Sequence, residues 1–159
     1  LKALEDVHEC SAGNEAKRLL LAGGLCDHPE LYSFIEEAGG VVVWDDFCTG
    51  ARSFSGAIPV DGDPLAAIAA RYAERPVCPA KHRGIRERAE RLVRLAKAKG
   101  ARGVVFLLVK FCDPHAFDYP YLKEALDGAG IPSMLFEMED QLPAEGQLKT
   151  RFEAFLEMI

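Results

Sequence analysis

Residues 110–120 read KFCDPHAFDYP. A lysine, a cysteine, an aspartate and a histidine fall within six positions, directly after the apolar run GVVFLLV at 103–109. A thiolate in such a place is a metal ligand or a nucleophile. Histidine adds a proton carrier or a further ligand. Lysine adds a point charge for an anion. A second stretch, DDFCTGAR at 45–52, sets a thiol between two carboxylates and an arginine. Acids crowd again at EMEDQ (137–141), and Gln147 and Arg151 follow in GQLKTR.

The chemistry open to these groups is bounded by their spacing. The chain has five cysteines, Cys10, Cys26, Cys48, Cys78 and Cys112, and no CxxC pair. Zinc sites usually draw on ligands paired at short spacing, and these cysteines are scattered. An iron–sulfur cluster can gather single cysteines from distant loops, but it wants four, or three with an open iron. A redox thiol would lack a CxxC partner. Gly23-Gly24 is not a GxGxxG fingerprint, and GARSFSG lacks the GK[ST] ending of a phosphate-binding loop. The plainer readings are structural: Cys10 and Cys26 as small buried hydrophobes, His115 as a loop histidine or helix cap, and Asp118 as the N-cap of a helix beginning near it.

Four apolar runs must position these groups: RLLLAG (18–23), VVVWDD (41–46), GVVFLLV (103–109) and SMLFEM (133–138). They are strand-length and nearly continuous rather than alternating, the pattern of strands covered on both faces. Helical patterns separate them. HPELYSFIEEAGG (28–40) and DYPYLKEALDGAG (118–130) close on glycine. DPLAAIAARYAER (63–75) opens on Asp63 as cap with Pro64 in the first turn. Residues 84–99 line up Ile85, Ala89, Leu92, Val93 and Ala96, with arginines and lysines on the opposite face. The last helix sets Leu148, Phe152, Phe155, Leu156 and Ile159 on one stripe. The longest connection, 47–83, carries Cys78 and His82 around one helix, and its length makes it a functional candidate.

Strand–helix alternation predicts an α/β fold: a three-layer, doubly wound, Rossmann-like domain with a mostly parallel four-stranded sheet in the order 2-1-3-4. Expected core residues include Leu20, Val42, Leu92, Val105, Leu107, Leu135 and Phe155. Ligands in such sheets bind beyond the carboxyl ends of the strands, at the switch point between strands 1 and 3. Cys26, Cys48 and Cys112 all follow strands and so converge on that edge. Position in the fold, more than any single motif, marks a site there.

With 159 residues, 49% of them hydrophobic, the chain has material for one domain with a real core. A formal charge of −6 argues against a nucleic-acid surface. No apolar run is long enough for a membrane helix. The opening LKALEDVHEC has no signal-peptide core and no initiator Met, which reads as a piece of something longer. Scattered thiols fit a reducing, cytoplasmic setting.

DDFCTGARSF, KFCDPHAFDYPYLKEAL, AGIPSMLFEMEDQ and GQLKTRFEAFLEM, in this order, resemble the benzoyl-CoA reductase / 2-hydroxyacyl-CoA dehydratase subunit family. The resemblance runs from about residue 18 to the end. It implies an oxygen-sensitive enzyme of anaerobes with 4Fe–4S clusters in two homologous subunits. An ATP-hydrolysing iron–sulfur activator protein supplies a low-potential electron to an acyl-CoA substrate, giving a ketyl-type radical. Dehydratases then lose a β-proton and a hydroxyl group; reductases reduce an aromatic ring. The resemblance assigns one cluster ligand, Cys112. Family subunits are more than twice as long, with two similar α/β domains and the other ligands upstream. Residues 1–159 therefore correspond to the C-terminal domain, expected to be inactive alone. Asp46, Arg52, Lys110, Gln147 and Arg151 are the candidate substrate-binding residues. A docking module of such a complex, or a related double-cluster reductase of small molecules, are the alternatives. Neither nucleic acid nor membrane is an expected partner.

Overall fold

The computed structural model of the chain describes residues 16–75, 78–81, 84–139 and 142–159. Cys10, His82, Asp140 and Gln141 lie outside the described residues. The four apolar runs form strands β1 (Lys17–Gly23), β2 (Gly40–Asp46), β3 (Gly103–Val109) and β4 (Ser133–Met138). They make one all-parallel sheet in the order β2-β1-β3-β4, as the sequence predicts. Helices α1 (Glu30–Glu37), α2 (Ala51–Phe54), α3 (Pro64–Ala73), α4 (Ile85–Ala98), α5 (Asp113–Gly128) and α6 (Glu145–Met158) fill the connections, with a 3-10 turn at Pro79–Lys81.

Each inner strand sends alternate side chains to opposite faces, and both faces are covered. Leu19, Leu21, Val105 and Leu107 pack with Leu31 and Ile35 of α1 and with Leu148, Phe152 and Phe155 of α6. Leu20, Ala22, Val104 and Phe106 pack with Leu92 and Ala96 of α4 and Leu126 of α5. This double coverage is why the runs are continuous in apolar residues. Asp63 accepts from Leu65 N at 3.0 Å and caps α3 with Pro64 behind it.

Three expectations are corrected. Val42 and Leu135 are only half-buried, because β2 and β4 are the edges of the sheet. The connection after β2 holds α2 and the 3-10 turn as well as α3. Asp118 does not cap a helix. α5 begins at Asp113 with Pro114 in its first turn, so Asp118 lies in the second turn and is buried. Its carboxylate pairs with Arg88, a buried arginine of α4 that the amphipathic pattern places toward solvent. A buried carboxylate and a buried guanidinium satisfy each other here, since either alone would carry a large desolvation cost.

Because the order reverses at β1, its carboxyl end and that of β3 open a crevice between them. Gly23 at the rim of this crevice cannot carry a side chain: a Cβ there would lie 2.0 Å from the Leu107 carbonyl oxygen. No helix among the described residues is long and apolar enough to cross a membrane.

Candidate functional site

The turn after β2 is pinned by its own first acid. Asp45 Oδ1 accepts from Phe47 N at 3.1 Å and from Ala51 N at 2.8 Å, so it closes the loop that carries Cys48. Gly50 passes directly over that carboxylate; a Cβ there would meet Asp45 Oδ1 at 1.9 Å. Cys48 N donates to Gly24 O at 2.9 Å, which ties the turn to the end of β1. Thr49 Oγ1 donates to Cys26 O at 3.4 Å. Asp46 binds Arg91 and lies 3.7 Å from Arg52 Nε. Arg52 also donates to Gly23 O. The DDFCTGAR stretch is thus a brace in which every polar residue but the thiol has a mechanical task.

The turn after β3 is equally tight. Lys110 N donates to Met138 O at 2.8 Å and Cys112 N to Val109 O at 3.1 Å. Between them Phe111 is forced to φ +64° with its ring 96% exposed. A non-glycine residue in the left-handed region costs of order 1 kcal/mol and is kept where the surroundings dictate it. Here the effect is to set Cys112 at the N-cap of α5, half-buried. Lys110 Nζ swings to Glu139 Oε1 at 2.5 Å. Each partner favours the other's charged form, raising the lysine and lowering the glutamate from their ordinary values.

The two turns face one cleft of about 360 Å³, whose lining includes Cys48, Cys78, Lys110, Phe111, Cys112 and His115. Sequence position alone brings Cys26, Cys48 and Cys112 to this edge. Cys26 stays at this edge, bonded to Thr49, but packs against the α1–α6 core, and the cleft itself holds Cys78 instead, an exposed thiol returned from the far end of the long connection. Nothing in the spacing of Cys48 and Cys78 signals that meeting. Burial pushes the Cys48 thiol up, against the opposing pull of Arg52, while the neighbouring Cys78, Asp46 and Cys112 add to the rise. Burial also raises Cys26.

His115 sits in the first turn of α5 with its ring over Gly24, where a Cβ would lie 3.3 Å from Nε2. It lines both the thiol cleft and a small seam that holds Asp46, Arg52, Arg88 and Asp118 among apolar side chains. Burial drives its pKa down to about 4, helped by Arg52 and Arg88 and resisted by Asp118 and Asp46. It is a neutral imidazole at pH 7, able to give or take one hydrogen bond.

Of the predicted substrate-binding residues, Lys110 lines the cleft, and Asp46 and Arg52 lie in the seam, Asp46 paired with Arg52 and Arg91 and Arg52 donating also to Gly23 O. Gln147 and Arg151 are exposed on α6 and line neither. Arg151 donates to Leu135 O at 2.9 Å and stacks on Phe136, holding α6 to β4. For a polynuclear iron–sulfur group, the described residues offer an incomplete donor set. Cys112 opens on a cleft with room beside it, yet no three His, Cys, Asp or Glu side chains among the described residues converge to hold a metal ion.

Comparison with known proteins gives this edge a context. Over 145 residues the chain is 32% identical to the (R)-phenyllactyl-CoA dehydratase beta subunit of Clostridium sporogenes, covering 91% of this chain and 38% of that one. It is 27% identical over 149 residues to the beta subunit of (R)-2-hydroxyglutaryl-CoA dehydratase from Acidaminococcus fermentans, covering 91% and 39%. A benzoyl-CoA reductase subunit of Thauera aromatica matches at 24% over 124 residues, 76% of this chain and 32% of that one. The chain thus spans about two fifths or less of the length of these relatives. The family model described as 2-hydroxyglutaryl-CoA dehydratase, D-component, matches residues 1–159 from end to end, and the chain belongs to that family.

Proposed function

We propose that this chain is the C-terminal domain of a subunit of a 2-hydroxyacyl-CoA dehydratase, and that Cys112 is its one thiolate ligand to a 4Fe–4S cluster. The observation that carries this reading is the cleft at the β1–β3 switch point, where a strained, tightly bonded turn presents Cys112 beside Lys110 and a neutral His115. Dehydratase is preferred to aromatic-ring reductase because the two dehydratase relatives match 91% of the chain and the reductase relative 76%. Such a cluster, when bound, supplies one-electron chemistry at low potential and a Lewis-acidic iron for a substrate oxygen.

The chain's own residues do the positioning. Asp45 and Gly50 fix the Cys48 turn, and the Phe111 turn fixes the direction of Cys112. His115, uncharged, adds no positive charge beside the thiolate and leaves a ring nitrogen for a hydrogen bond. Lys110, held by Glu139, gives the cleft mouth a cation for a polar substrate group. The remaining cluster ligands come from outside the described residues. A homologous second subunit and an ATP-hydrolysing activator complete the machinery under this reading. Asp46 and Arg52 brace the cleft from the seam, and with Gln147 and Arg151 they stay candidates for substrate contact under this reading.

The test is Cys112→Ser in the full-length protein, reconstituted anaerobically, with iron counting and electron paramagnetic resonance. Iron content and dehydratase activity should fall together, while Cys26→Ser keeps both. Full iron content in Cys112→Ser removes this residue from the site.

A further inference from the structure

The connection that carries Cys48 also builds a second cleft, between the Ser55–Ala57 loop, α3 and α4, with a volume of about 350 Å³. Five guanidiniums line it, from Arg71, Arg75, Arg88, Arg91 and Arg94, against two carboxylates, Glu74 and Glu87. In a chain of net charge −6 this is a local positive field. Three of the five have acidic partners: Arg88 with Asp118, Arg91 with Asp46, and Arg94 with the exposed Glu90 at 3.7 Å.

Arg71 and Arg75 differ. Arg71 donates to Gly56 O at 3.2 Å and Ser53 O at 3.1 Å, and Arg75 also donates to Ser53 O. These acceptors are neutral carbonyls, so the two charges are fixed in place without being neutralised. Arg75 Nε is buried and has no hydrogen-bond partner among the described residues. Both guanidiniums lie on the Tyr72 ring, at 5.8 and 4.4 Å from its centre, and that ring is 59% exposed. Immobilised guanidinium forks suit phosphate oxygens. The volume is that of a small-molecule site.

We propose that this cleft binds the phosphate groups of a nucleotide-bearing ligand, namely the adenosine phosphate end of the CoA thioester. The choice of CoA rests on the function proposed above; the anion site rests on the arginines alone. Calorimetric titration of the chain with CoA, 3′-dephospho-CoA, pantetheine and pyrophosphate tests both. CoA should bind more tightly than 3′-dephospho-CoA, pyrophosphate should compete with it, added salt should weaken it, and phosphate-free pantetheine should give no signal.

Replacing Arg71 and Arg75 together with Gln should lower CoA affinity at least about tenfold, the scale of losing charge-assisted bonds to phosphate. These two arginines also anchor the Ser53–Gly56 loop, so circular dichroism of the variant is compared with the parent. Arg94→Gln, which bonds no backbone, should weaken CoA by a smaller factor without disturbing the loop. CoA binding that ignores all three substitutions, or equals that of pantetheine, removes the cleft while leaving the CoA reading intact. Arginine-dependent binding of pyrophosphate with no binding of CoA overturns the CoA assignment and counts against the proposed function. No binding by any probe removes the anion site.

Discussion

Two connections leave the carboxyl edge of the sheet. The one after β3 is short: three residues separate the strand from α5, and backbone bonds to Met138 and Val109 fix their course. The one after β2 is long and has two characters. Its first turn is braced by Asp45, Gly50 and Arg52. Beyond it α3 buries no residue at all, and Leu65, Ile68 and Tyr72 stand exposed. Thiols that must be aimed are held by the braced turns. The exposed arm is held by arginine bonds to loop carbonyls, and it carries the charged cleft. Stability and site geometry should therefore respond to substitutions in the braced turns and the seam beneath them, and hardly at all to those on the arm.

The sharpest way to break this contrast lies in the seam. Asp118→Asn leaves the Arg88 charge buried among Leu92, Phe106 and Tyr119 without its carboxylate. Breaking one side of a buried pair costs about 3–5 kcal/mol. Denaturant unfolding should show that loss. The double change Arg88→Met with Asp118→Leu should recover most of it, because the pair's own desolvation cost disappears with the charges. Next in size is Gly50→Ala. The new methyl would displace Asp45 and loosen its bonds to Phe47 and Ala51. Each hydrogen bond to a carboxylate is worth about 1.5–3 kcal/mol if lost outright, so weakening both should cost about 2–4 kcal/mol. Because Cys48 rides on this turn, its alkylation rate should rise while that of Cys78 stays the same.

His115 adds a pH dependence with a definite sign. Its folded pKa of about 4 lies below the ordinary 6.5, held down by burial and the Arg52 and Arg88 charges against Asp118 and Asp46. The unfolded chain therefore binds the proton first as pH falls. This contribution is fully present above pH 6.5 and is lost progressively between about 6.5 and 4. The full linkage, about 3 kcal/mol, is discounted to roughly 1–2 kcal/mol because the ring is part-exposed to screening solvent. Unfolding midpoints measured across that window should fall more steeply for the parent than for His115→Gln. Parallel curves would mean that the ring is solvated and does not seal the seam.

The sheet was open to reading because its signal is local: four apolar runs of strand length, each separated by helical periodicity. Strand order followed from the same pattern and from the rule for doubly wound folds. Burial at single positions was less open. Asp118 precedes Tyr119 and Pro120, which imitates a helix start, whereas Cys112-Asp113-Pro114 holds the real one. Arg88 reads as a solvent-facing charge because its partner lies 30 residues away on another helix. The approach of Cys78 to Cys48 depends on how a long loop folds back, and no spacing encodes it. The site itself was half legible: Cys112 and Lys110 by position after a strand, Cys78 and the neutral His115 only in three dimensions.

The arm supplies the last and smallest prediction. DPLAAIAARYAER carries an apolar stripe with a good cap, and such a stripe ordinarily signals a helix packed on a core. In this chain Leu65 is 77% exposed and Ile68 41%. A leucine so placed loses little when truncated, because little apolar area was removed from water in folding. Leu65→Ala should change unfolding free energy by no more than about 0.5 kcal/mol, with alanine's better helix propensity offsetting part of the lost contact. The same substitution at Leu107, which is wholly buried in the sheet, should cost about 2–5 kcal/mol. A loss at Leu65 approaching that at Leu107 would show that α3 is packed against something in solution, and the contrast between the braced turns and the arm would fall.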